Sequence, residues 1–198
     1  MRIFDFLLLN KRWLFAGGLI SLSSSYGQTF FISIFAGEIM GEFNLTDGQW
    51  GGYYSIGTTA SAIVMLYGGV LSDRFRARTL ASVVLILLAL ACLFMANLPG
   101  AWALPFAIFA LRFTGQGMLS HIAVVAIARW FAKARGKALA ISTLGFSMGE
   151  ALLPMIFVAL LAFVEWRSLW IIAAVASIAT IPVLLSMLQK ERTPQSIA

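Results

Sequence analysis

Charged residues punctuate this chain at intervals, and the stretches between them are long enough to cross a lipid bilayer. Trp13 to Gly37 contains no Asp, Glu, Lys or Arg, and neither does Gly48 to Ser72. From Thr79 to Leu111 the chain is again uncharged, but Asn97-Leu98-Pro99-Gly100 is a turn signal that divides it. A helix needs about 20 predominantly apolar residues to span the hydrocarbon core. The pattern therefore predicts six transmembrane helices: 13–37, 48–72, 80–97, 101–128, 138–164 and 168–188. Arg112 and His121 fall inside the fourth, and Glu150 inside the fifth.

Composition narrows the class. Of 198 residues, 61% are hydrophobic and 11% charged, and the mean hydropathy is +0.92. A soluble domain carries about 25% charged residues, so this chain lacks the polar surface to cover itself in water. Low charge with high hydrophobicity also opposes disorder. The formal charge of +6 does not form a basic face of the kind that binds nucleic acid, because the basic residues sit in short clusters between apolar runs. One cysteine, Cys92, and one histidine leave no disulfide framework and no metal cluster to propose. No nucleotide-binding loop is present, and no cofactor is expected.

The clusters orient the bundle. With the N-terminus in the cytoplasm, the inside holds Arg2, Lys11, Arg12, Arg74, Arg76, Arg78, Arg129, Lys133, Arg135, Lys137, Lys190 and Arg192. Only Arg167 lies in an outer loop, together with the acids Glu38, Glu42, Asp47 and Glu165. This asymmetry obeys the positive-inside rule and puts both termini in the cytoplasm. All six tryptophans fall near predicted span ends, where indole rings favour the headgroup level. The expected organisation is a cytoplasmic segment over 1–12, a six-helix domain over 13–188, and a cytoplasmic tail or linker over 189–198.

Polar residues within spans are costly and face protein or water. The third and sixth spans are nearly pure hydrocarbon and are expected to face lipid most. The first (Ser21, Ser23, Ser24, Ser25, Tyr26, Gln28, Thr29), the fourth (Arg112, Thr114, Gln116, Ser120, His121) and the fifth (Ser142, Thr143, Ser147, Glu150) are expected to line a cavity. Arg112 lies roughly 15 Å inside Trp102 along a helix. Its guanidinium stays charged and needs an anionic solute, a carboxylate partner such as Glu150, or water. Glu150 is a candidate proton carrier, the usual work of intramembrane carboxyls in transporters. On a straight helix, nine steps of 100° set His121 half a turn away from Arg112, so His121 is expected to pack between helices.

The loop after the second span reads Gly69-Val70-Leu71-Ser72-Asp73-Arg74-Phe75-Arg76-Ala77-Arg78. It resembles the loop between helices two and three of the major facilitator superfamily. Gly69, Leu71, Ser72, Asp73, Arg74 and Arg78 fit, while Arg76 and Ala77 depart from that pattern. Other segments extend the resemblance: Arg112-x-x-Gly115-Gln116-Gly117 in the fourth span, Arg129-Trp130-Phe131 with Arg135-Gly136-Lys137-Ala138 after it, Gly145-x-x-x-Gly149 in the fifth, and Glu165-Trp166-Arg167 before the sixth. In the fifth span Glu150 stands where the antiporters of the family carry proline.

The resemblance implies an all-α membrane fold, the N-terminal six-helix half of a transporter, built from two inverted three-helix repeats. It further implies secondary transport by alternating access in the inner cell membrane, with a small organic anion as solute. Arg112, Gln116, Tyr26 and Gln28 are the candidate substrate contacts, Glu150 the coupling site, and Gly69, Asp73, Arg74 and Arg78 the gating loop. The partner is a second six-helix half, either a C-terminal domain or a homodimer mate, consistent with a tail (Gln189 to Pro194) that reads as the start of a linker. Two alternatives stand beside this reading. One is a non-transporting bundle that assembles with other chains. The other is a rhomboid-like intramembrane protease, because Gly145-Phe146-Ser147-Met148-Gly149 fits G-x-S-x-G; there, however, the serine precedes its histidine, and His121 comes earlier in this chain.

Overall fold

The computed structural model describes residues 3–189, and every regular element among them is helical; apart from Gln189, the tail expected to begin a linker lies outside the described residues. The first helix, α1 (Ile3–Ser23), starts well ahead of the uncharged run and then gives way to a 3₁₀ turn, Ser24–Gly27, and two short helices, Thr29–Ser33 and Ala36–Phe43. Five further helices are long and apolar enough to cross a bilayer: α2 (Asp47–Arg74), α3 (Ala77–Ala96), α4 (Ala101–Trp130), α5 (Ala132–Leu161) and α6 (Trp166–Met187). The first span is thus an interrupted helix rather than the continuous one the apolar run suggests.

Its interruption has a local cause. Ser23 Oγ donates to the Leu19 carbonyl at 2.9 Å and Ser24 Oγ to the Ser21 carbonyl at 2.7 Å, so hydroxyls compete for the carbonyls that a continuing helix needs. Gln28 then takes extended angles (φ −83°, ψ 155°) before the chain re-enters helix at Thr29. At the far end, Asn44 adopts the left-handed conformation (φ 51°) and Thr46 opens α2 with a reciprocal capping box to Gln49, a device that satisfies orphan donors at a helix start.

The interior divides by side-chain size. α3 and α6 pack along each other, and α3 buries Leu80, Val84, Leu85, Leu88, Cys92 and Met95. Phe31 and Phe35, on the continuation of α1, close over Phe157 and Trp170, with Phe31 4.8 Å from Phe157 and 5.3 Å from Trp170 in edge-to-face geometry, the arrangement aromatic quadrupoles prefer. Trp170, Trp166 and Trp130 are therefore core residues, while Trp102 remains exposed; sequence position near a span end did not separate packed from interfacial tryptophans.

The helices left most open are α2 and α5, not α3 and α6 as their hydrocarbon content suggested. Within Asp47–Gly68 only Gly57, Ser61 and Gly68 are buried, and within Leu144–Leu161 only Gly149 and Phe157. On α2 the inward contacts are made by small residues, and on α5 by Gly149 and the single ring of Phe157, while other large side chains point outward: Ile63, Leu66 and Tyr67 on α2, Leu152, Met155 and Val158 on α5.

Candidate binding cavity

At the middle of α4 the hydrogen-bonding pattern widens. Arg112–Leu119 is a π-helix set between α-helical stretches, a feature that recurs at functional sites. It lies against the 3₁₀ turn of the first span, and two glycines permit the contact. A Cβ on Gly115 would lie 2.6 Å from the Gly27 Cα and 2.7 Å from its nitrogen, while one on Gly27 would meet the Leu111 carbonyl and the Gly115 Cα. Both irregular segments thus meet backbone to backbone at one crossing.

A cavity of about 450 Å³ opens beside this crossing, between α2 and α4. Thr58 and Ser61 of α2 form one wall, and Arg112, Gln116, Ser120 and His121 of α4 the other. Arg112 is fixed at the top. Its Nη1 donates to Thr29 Oγ1 at 2.6 Å, and the Tyr54 hydroxyl donates to the same oxygen at 3.0 Å. The guanidinium also sits over the Tyr54 ring, 5.8 Å from its centroid, within reach of a cation–π attraction. One of its five N–H donors is engaged in this bond, and Arg112 also lines the cavity. Among the described residues no carboxylate pairs with Arg112.

Two polar atoms in the cavity wall, Thr58 Oγ1 and Gln116 Oε1, are buried and have no hydrogen-bond partner in the protein. An unpaired buried group costs about 1–3 kcal/mol; Ser25 Oγ, Ser72 Oγ and Trp170 Nε1 are orphaned in the same way outside the cavity.

His121 corrects the straight-helix expectation. It lines the same cavity as Arg112, because the π stretch bonds i to i+5 and each residue there turns through less than 100°. Over eight residues the deficit brings His121 round to the Arg112 face. Its imidazole lies against Gly69, where an added Cβ would come within 3.5 Å of Nε2.

The other candidates separate. Gln28 touches the cavity wall from behind, its Nε2 donating to Ser120 Oγ at 3.4 Å. Tyr26 packs edge-on against Phe31, with ring centroids 5.2 Å apart, and does not line the cavity. Glu150 is exposed on α5, one residue from Gly149, which abuts Ser25. The cavity is therefore walled by α2 and α4, not by the first, fourth and fifth spans together. Sequence reasoning missed the α2 wall, although Tyr54, Thr58, Ser61 and Met65 follow i, i+4, i+7, i+11 spacing and share one helix face. Ser147 is exposed on α5, and among the described residues no hydrogen bond joins it to His121.

Two ion pairs hold the ends. At the basic end Arg129 Nη2 meets Asp73 Oδ1 at 2.5 Å while its Nη1 donates to the Ser72 carbonyl at 2.7 Å. Asp73 is thus bound within this chain, in the last turn of α2; Gly69 stands one turn before it, Arg74 is exposed and Arg78 is half-buried on the first turn of α3. At the acidic end Arg167 Nη2 meets Glu42 Oε1 at 2.6 Å, its Nη1 donates to the Ala96 carbonyl at 2.7 Å, and Trp166 Nε1 donates to Glu42 Oε2 at 2.9 Å. Those bonds, led by the one from Arg167, hold the Glu42 carboxyl below its ordinary range. In each pair a residue flanking the loop after the second helix of one three-helix unit grips the end of the first helix of the other, with acid and base exchanged. That is the relation expected of inverted repeats.

Residues 17–197 match the Major Facilitator Superfamily. The chain belongs to this superfamily. Its members are membrane transporters, and the apolar helices make this one a multi-pass membrane protein. No curated protein matches the chain. For a major facilitator protein the central cavity beside a broken helix is the expected place for a solute, since discontinuous helices and midplane sites recur in transporters.

Proposed function

We propose that this chain is the N-terminal six-helix half of a secondary transporter that carries a small organic anion by alternating access. The carrying observation is Arg112, placed mid-span, held by Thr29 and Tyr54, and facing a cavity with no carboxylate partner among the described residues. A permanent cation in a membrane interior needs an anion, and a planar fork suits a carboxylate. Gln116 contacts the solute from the next turn, Gln28 steadies Ser120 behind it, and Tyr26 supports the bend of the first span from the core side.

A second six-helix unit, a C-terminal domain or another copy, covers α2 and α5. Large apolar side chains there face outward, and an exposed mid-span carboxyl, Glu150, is costly against lipid. Glu150 then lies at the junction of the halves and carries the coupling proton. The basic end with Asp73–Arg129 is cytoplasmic, in the inner membrane, and the acidic end with Glu42–Arg167 faces outward.

The test is anion uptake in proteoliposomes that hold the protein with its second half. Arg112→Lys keeps the charge but loses the planar fork, so uptake is expected to fall at least tenfold. Undiminished uptake by Arg112→Lys refutes the bidentate anchor.

A further inference from the structure

A separate groove of about 420 Å³ runs where α1 lies beside α5. Leu14, Leu22, Leu144 and Met148 wall it, and among the described residues Lys11 is the one charged side chain in its lining. Its floor is a crossing of two glycines. A Cβ on Gly145 would lie 2.7 Å from the Gly18 carbonyl carbon and 2.9 Å from its Cα, so the backbones touch and neither residue fills the space above. We propose that this groove holds one anionic phospholipid, its phosphate on Lys11 and an acyl chain along the furrow.

Depth and charge agree. Lys11 and Leu22 are 11 residues apart on α1, about 16 Å of helix, and half of a hydrocarbon core is about 15 Å. The furrow thus runs the depth of one leaflet, with the ammonium at the headgroup level to which lysines snorkel. That end of the bundle is basic. Phe6 packs on Phe131, and Lys137 Nζ lies 5.7 Å from the Phe6 ring centroid, so Lys11 and Arg12 share it with Arg129, Lys133, Arg135 and Lys137. The one acid of α1, Asp5, stands about 120° round the helix from Lys11. Orientation points to lipid as well. Gly17 faces α4, where an added Cβ would meet the Ile127 side chain. Leu8 and Phe15, 68% and 58% exposed, lie about 180° and about 160° from Gly17, on the side of α1 turned away from α4 and its cavity. On α5, Glu150 points about 200° from Met148, so a second unit that covers Glu150 leaves the groove open.

Native mass spectrometry of the full chain, released from micelles that contain phosphatidylglycerol or phosphatidylcholine with the same acyl chains, reads the lipid that stays bound. Phosphatidylglycerol is expected to bind about fivefold more tightly. Lys11→Gln brings the two lipids together, whereas Lys133→Gln, exposed at the same end but outside the groove, keeps the preference. Gly18→Leu projects into the furrow, because the nearest atom to its added Cβ is the Ser142 carbonyl oxygen at 3.7 Å, and it releases both lipids. Thermal unfolding of each variant checks that it is folded. A spin label on Phe15→Cys, specific because the native Cys92 is buried, stays accessible to dissolved oxygen in proteoliposomes that hold the second half. Equal binding of the two lipids, or a preference that survives Lys11→Gln, overturns the placing of the headgroup on Lys11. Unchanged lipid binding by a folded Gly18→Leu protein puts the lipid outside the groove and overturns the site. Loss of oxygen access at Phe15→Cys when the second half assembles makes the occupant protein and overturns the lipid.

Discussion

The crossing of Gly27 and Gly115 is where fold and cavity depend on the same atoms. In Gly115→Ala the new Cβ would sit 2.6 Å from the Gly27 Cα, 2.7 Å from its nitrogen and 3.1 Å from the Ser24 carbonyl oxygen. These are backbone atoms, which cannot rotate away as a side-chain tip can. Optimal carbon–carbon separations are about 3.5–4.0 Å, so the two segments must part by about 1 Å. Overpacking of this kind costs about 1–3 kcal/mol, or roughly a five- to 150-fold shift in a folding equilibrium. At about 2–4 °C per kcal/mol for a chain of this size, unfolding moves down by about 2–12 °C. The loss does not stop at stability. Thr29 follows Gly27 by two residues and Arg112 precedes Gly115 by three, so parting the crossing pulls on the 2.6 Å bond between them. Thermal unfolding of the purified protein, followed alongside titration with a small carboxylate, reads both effects, and Gly41→Ala serves as control because nothing lies within 4 Å of its added Cβ. A Gly115→Ala protein that melts with the parent and binds with unchanged affinity refutes the argument that this glycine is required by close backbone approach.

Further predictions follow from the ends and the cavity. Glu42 is held below its ordinary carboxyl range by Arg167, so the pair contributes stability above the unfolded value near 4.5 and loses it as pH falls through the lower folded value; Glu42→Gln should flatten acid unfolding in that window, and an unchanged profile would count against the clasp. Asp73 and Arg129 are 69% and 45% exposed, and such pairs contribute about 0–1 kcal/mol. Asp73→Asn should therefore shift unfolding by no more than a few degrees while reducing uptake sharply; a large loss of stability with normal uptake would make the pair structural instead. The sole native cysteine, Cys92, is buried, so cysteines placed singly by Gln116→Cys and His121→Cys can be labelled by a charged thiol reagent. Both should react and both should be protected by the bound anion, whereas an inert His121→Cys would return His121 to the helix interior.

Much of the architecture was legible because the constraint behind it is local. A bilayer demands an apolar run of fixed length and admits charge at its ends, so five of the six spans, the Asn97–Gly100 turn and the clustering of basic residues at one end follow from the order of residue types alone. The superfamily was legible for the same reason: Asp73, Arg74 and Arg78 stand in one short loop between spans. Arg112 could also be singled out, because a mid-span arginine is conspicuous wherever it points.

What the chain order could not supply were relations between helices. The break at Ser24–Gly27 and the π segment at Arg112–Leu119 accompany one close crossing, and neither has a hydrophobic period to reveal it. That crossing lowers the angular step along α4, which is why His121 joins Arg112 against the arithmetic of a regular helix. The α2 wall was hidden by size rather than by polarity, since Gly57, Ser61 and Gly68 carry the packing and leave larger residues to draw attention. Arg129 reads in sequence as one more cytoplasmic cation, and only the tertiary fold pairs it with Asp73. Sequence by itself determined which segments enter the membrane, because burial in lipid is decided residue by residue. The tertiary structure alone decided which polar groups share a cavity, because that depends on where two backbones can touch.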